Sequence, residues 1–191
     1  MTAEAERHRS DYRNGHRIDL AVRPGVDVPI PLASLARIAG DALTAAGAPA
    51  SASLGVILAD DRELAELNAE HMGHDGPTDV LSFPLLPPSA FPPHEGAAAR
   101  SEPREPGHPP FQTPPGQRVH LGDVVVSVER AIEQAEAGRG GQTGDVRSSV
   151  GDEIRLLVVH GVLHVCGWDH DRPPHEAAMR ALERRILSAA R

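Results

Sequence analysis

The stretch Val159 to Asp171 reads VHGVLHVCGWDHD and places histidines at 160, 164 and 170. His160 and His164 are four residues apart. On a helix that spacing is about 400° of turn and about 6 Å of rise, so both imidazoles leave one face at a distance one metal ion can bridge. Gly167 follows His164 by three residues, where a glycine in the left-handed conformation ends a helix and reverses the chain. The reversal brings His170 back as a third ligand. Three neutral imidazole nitrogens at about 2.0 Å leave the fourth tetrahedral position of zinc open to water, as in catalytic rather than structural sites. The expectation is one zinc per chain, held by His160, His164 and His170.

The spacing H-x-x-x-H-x-x-G-x-x-H is that of metzincin peptidases. There the residue after the first histidine is Glu, the general base. Here it is Gly161, which argues against peptide hydrolysis by that route. A base must come from elsewhere, and Asp169 and Glu153 are the candidates. Asp169 has a second reading, as an acceptor that orients a liganding ring. Glu153 lies seven residues before His160, two turns along the same helical face. It either lines the approach to the metal or serves as a structural cap or ion-pair partner.

The elements that must carry these residues follow from pattern. Residues 1–15 are charged and unpatterned and read as a disordered tail. Strands are expected over Arg17–Val22, Ser53–Ala59, Thr78–Leu86 and His120–Val128. Helices are expected from Pro31 to Gly47, from Asp60 or Asp61 through Asn68, over Glu129–Ala137, from about Asp145 to Val165, and from Pro173 to near the end. Ten of the chain's 18 prolines fall in residues 87–115, which read as an extended, mobile insertion. The predicted class is α+β: one domain over 16–191 with a mixed sheet of roughly four strands packed with helices, and the zinc site on a C-terminal helix and the turn after it.

Composition narrows the function. A net charge of −8 gives no global attraction to nucleic acid or acidic lipid. All 19 basic residues are Arg. With aromatics at 3%, the core must be aliphatic. Cys166 is alone, which excludes an intrachain disulfide, gives no ground for a disulfide-linked partner and points to the cytoplasm. The polar start lacks an apolar signal core, and no run approaches the length of a membrane span.

The metal segment resembles the signature of the YbeY-type endoribonucleases, bacterial rRNA maturation factors, H-G-x-L-H-L-x-G-Y-D-H. It stands here as His160-Gly161-Val162-Leu163-His164-Val165-Cys166-Gly167-Trp168-Asp169-His170. Pro77-Thr78-Asp79-Val80-Leu81-Ser82-Phe83-Pro84 is similar to the family's PTDVLSFP strand, and Leu121-Gly122-Asp123-Val124-Val125-Val126-Ser127 to its LGDIVIS strand. Asn68 and Glu153 also fall at familiar positions. The likeness covers roughly residues 50 to 190, less the insertion. It implies a compact α+β fold and one zinc on three histidines. It further implies cleavage of single-stranded RNA and work on ribosomal subunits in 16S rRNA 3′-end maturation and ribosome quality control. Three features depart from it: Met72 stands where many members carry Arg, the Pro-rich insertion between the two strand blocks is longer than usual, and the chain is acidic. The last helix partly offsets the acidity, with five Arg after His170 against Asp171, Glu176 and Glu183. Three classes stay open: a zinc endoribonuclease, a zinc hydrolase of another substrate, and a ribosome-associated binding protein whose zinc is mainly structural.

Overall fold

Alternation along β2 (His16–Val22) turns Ile18, Leu20 and Val22 to one face, where all three are buried. β3 (Ser53–Ala59) does the same with Leu54, Val56 and Leu58, and β5 (His120–Ser127) with Val124 and Val126. In the computed structural model, which describes residues 5–96, 117–137 and 149–189, these three strands run parallel, β2 beside β3 beside β5. β4 (Val80–Pro84) pairs antiparallel with β5 and forms one edge. β1 (Arg7–Arg13) pairs antiparallel with β2 and forms the other, so the order is β1-β2-β3-β5-β4.

α1 (Leu32–Ala45) and α4 (Val150–Val165) cover the face that carries Ile18, Leu54 and Val124. α4 is apolar almost all round: Ile154, Val158, Val159, Val162, Leu163 and Val165 are fully buried. Such a helix belongs in the interior, and it touches α1, α3 (Val128–Ala137), α5 (Pro173–Ala189), β4 and β5. Ser149 caps it, accepting from Asp152 N at 3.1 Å. α2 (Asp61–Leu67), capped by Asp60, lies on the other face over Leu81 and Val125. Its last turn widens into a π-helical turn over Asn68–Met72. The whole is one α+β domain with a five-stranded mixed sheet, one strand more than expected.

That fifth strand corrects the reading of residues 1–15 as a disordered tail. Residues 7–13 form β1, joined to β2 by Asn14 (φ 51°) and Gly15 (φ 84°). Two consecutive left-handed residues of this kind make the tight turn that matches the twist of a hairpin. β1 has no apolar period because it is held by polar pairs: Arg13 with Asp41 of α1, and Ser10 with Asp19 across the hairpin.

The free loop expected for 87–115 is corrected for its first ten residues. Pro88–Ala90 make a 3-10 turn, and Phe91, 5% exposed, enters the main core. One buried ring anchors a stretch whose prolines read as solvent-exposed. The rest of the insertion lies outside the described residues, as do the Gly-rich connection at 138–148 and the helix start expected near Asp145. No helix among the described residues is long and apolar enough to cross a membrane.

Candidate metal centre

α4 ends as its glycine requires. Gly167 takes φ +81°, its N–H donates to His164 O, and Trp168 N donates to Leu163 O, both at 3.0 Å. This paired closure satisfies the last carbonyls of the helix and turns the chain back. Asp169 Oδ1 then accepts from His170 N at 2.8 Å. The ring centroids lie 4.6 Å apart for His160 and His164, 5.5 Å for His160 and His170, and 5.0 Å for His164 and His170. One nitrogen from each ring lies within 4.8 Å of the others. His160 Nε2 and His164 Nε2 are 3.1 Å apart. Zinc–nitrogen bonds of about 2.0–2.1 Å at tetrahedral angles need about 3.3 Å between donors. The three histidines therefore fit one ion.

Their surroundings prepare them. His160 Nδ1 faces Glu183 Oε1 at 2.7 Å, and Glu183, on α5, is 8% exposed. A carboxylate there accepts a hydrogen bond from Nδ1–H, fixes the ring and leaves the Nε2 lone pair for metal. Glu183 was not among the residues the sequence singled out. It lies 23 positions from its partner on a separate helix, and no local spacing connects them. Burial, followed by the nearby His160 and His170, lowers the pKa of His164 to about 4. Its imidazole is thus neutral at pH 7, the form that ligates. Cys166 is fully buried and its thiol is pushed up to about 12, so it supplies no thiolate.

Gly161 is a packing residue. A Cβ there would collide with Val124 Cγ1 of β5, and its carbonyl accepts from Ser82 Oγ at 3.1 Å. The position at which metzincins carry glutamate has no room here for a side chain.

In front of the histidines runs a groove of about 510 Å³. The turn contributes Gly167, Trp168 and Asp169, the β4 side Thr78 to Ser82 with Pro84, and Met72 and Pro88 complete it. Met72 is 43% exposed. Among the described residues that line it there is no Arg. Two carboxylates line it, Asp79 and Asp169. Asp79 accepts from Val80 N and Gln134 Nε2, both at 2.9 Å. Of the two base candidates, Asp169 is in the groove, where it braces the backbone of His170. Glu153 is 1% exposed and does not line the groove.

Comparison with known proteins gives the chain's family. A family model described as endoribonuclease YbeY matches residues 28–191. A Salinispora tropica protein named endoribonuclease YbeY is 39% identical, over 91% of this chain and 96% of its own. One of that name from Dehalococcoides mccartyi is 34% identical, over 86% and 84%. A solution structure from Thermotoga maritima covers 92% of this chain and 88% of its own, at 21% identity and a TM-score of 0.49. The family match at 28–191 spans the metal turn and the groove strand β4, and with relatives 34–39% identical over most of its length the chain belongs to the YbeY endoribonuclease family.

Proposed function

We propose that this chain is a zinc-dependent endoribonuclease that cuts single-stranded RNA. Its work is rRNA processing, including 16S rRNA 3′-end maturation, and ribosome quality control, with ribosomal subunits as partners and the cytoplasm as its compartment. The observation that carries the reading is the histidine triad at the floor of an open groove, in a chain whose curated relatives are named as endoribonucleases. Zinc held there would supply Lewis acidity to a phosphoryl oxygen and acidity to a water.

The chain's own residues do the rest. Glu183 fixes His160 so that its Nε2 faces the site. His164 stays neutral. Thr78 and Ser82 line the β4 side of the groove and donate their hydroxyl protons within the fold, to Asp79 and to Gly161 O, so their oxygens are left as acceptors for ribose hydroxyls. Asp169, which lines the groove beside the ligands, would accept a proton from an attacking water. Glu153 stays inside the fold and has no place in that transfer. A single strand can bend its backbone into this groove, whereas a stiff duplex presents its phosphates on a convex surface. Gly161 speaks against a peptidase, because the glutamate of that mechanism cannot be accommodated.

The test is cleavage of one oligoribonucleotide, single-stranded and annealed. The zinc-loaded chain should cut the single strand, a chelator should stop it, and added zinc should restore it. His164→Ala should reduce the rate at least a hundredfold. Equal cutting by wild type and His164→Ala would make the activity a contaminant. If neither cuts yet the protein binds ribosomal subunits, the binding-protein reading replaces this one; the uncharged Met72 in the groove is the observation on its side.

A further inference from the structure

We infer that Pro88–Gly96 is a strap that positions His170 and so sets how tightly the metal is held, with the stacked rings of His94 and Trp168 as its grip. The inference rests on reading His160, His164 and His170 as one metal site.

Two of the three ligands need no such help. His160 and His164 rise from α4, whose backbone is fixed by its buried faces. His170 is exposed and lies beyond the helix. The closing bonds of α4 reach only as far as Trp168. Past that point the turn is held from outside. Asp169 N donates to Gly96 O at 2.9 Å. The His94 ring lies flat on Trp168, with centroids 3.9 Å apart and planes 9° from parallel. Gly96 sits so close under the indole that a Cβ would collide with it. At the other end of the turn, Pro88 is packed where a Cβ on Gly167 would meet it at 3.0 Å. The strap is itself anchored, because Phe91 is buried in the main core. The rigidity of the core is thus carried to the one ligand that does not stand on a helix. Without it, metal binding would have to order the turn, and affinity falls by the entropy of that ordering.

The experiment measures zinc affinity of the full chain by competition with a chromophoric chelator, and the visible spectrum of the cobalt-substituted protein. His94→Ala should bind zinc about tenfold or more weakly, in the range found when a group that orients a ligand is lost, and should alter the cobalt bands. His94→Phe keeps a flat ring on Trp168 and should restore both. Gly96→Ala, which pushes the strap off the indole, should repeat the loss. Metal-free melting temperatures of the His94 variants should match wild type, which separates positioning from general stability. Wild-type affinity in His94→Ala and Gly96→Ala overturns the strap while leaving the metal site standing, provided His160→Ala loses zinc. Failure of His94→Phe to restore affinity also overturns it. A wild type that binds no zinc overturns the metal site and the strap together.

Discussion

His164 sits between His160 and His170, and burial together with its two neighbours lowers its pKa to about 4 from an ordinary 6.5. A histidine whose pKa falls on folding binds fewer protons in the folded chain than in the unfolded one. Its contribution is therefore whole above pH 6.5, shrinks as pH falls below that, and is gone below about 4. At about 1.4 kcal/mol per pH unit, the metal-free protein should lose up to about 3 kcal/mol across that window. Denaturant midpoints of the metal-free chain between pH 7.5 and 4 measure it, and His164→Gln should flatten the slope; equal slopes would refute the assignment. The same protonation competes with zinc, so acid should release the metal. At this scale the sequence was informative where chemistry repeats at helical spacing. The triad and its glycine could be read directly, because four residues and a reversal are local facts. The partners of the triad could not. Asp169 was expected either as the base or to hold a ring; its Oδ1 accepts from the backbone of His170. The residue that reaches His160 is Glu183, which in sequence is one acid among several on a charged helix.

α5 acquires a purpose from that contact. Its apolar residues Met179, Leu182 and Ile186 seat it on the core, and Glu183 then falls against His160. Glu183→Gln keeps the shape and removes the charge. It should weaken zinc binding about tenfold to a hundredfold while moving the metal-free melting temperature little. Unchanged zinc affinity in a chelator competition would make the pair a packing accident. The elements themselves were legible wherever a period of two or of 3.6 runs over seven or more residues. β2, β3, β5 and α1 all appear within a few residues of their expected bounds, and α4 ends at Val165 as expected. What failed has two physical causes. β1 is polar on both faces, so alternation could not reveal it; its one clear signal was Asn14-Gly15, the dipeptide that suits a hairpin turn. The strap hid in a proline-dense text, where Phe91 was the only mark of a chain returning to the core. Prolines exclude a ladder or a helix interior, but they do not exclude packing.

At the scale of the whole molecule, the sheet order was not legible, because β5 slips between β3 and β4 and no local pattern encodes such an insertion. That order places the groove strand β4 at one edge and β1 at the other. Edges matter for a reason separate from catalysis. An outer strand offers a row of unsatisfied N–H and C=O groups to any passing strand. β2, with Ile18, Leu20 and Val22 on its buried face, would offer a long one. Instead it is covered by β1, whose Arg7, Arg9, Asp11 and Arg13 resist further pairing by charge. Removing residues 1–14, a trim that the disordered-tail reading would have recommended, should therefore leave the metal ligands in place yet yield a protein that self-associates. Light scattering at rising concentration should show large species for the shortened chain and none for the full one; monodisperse behaviour of both would refute this. A strand that supplies no metal ligand then sets how concentrated the protein can be before it precipitates.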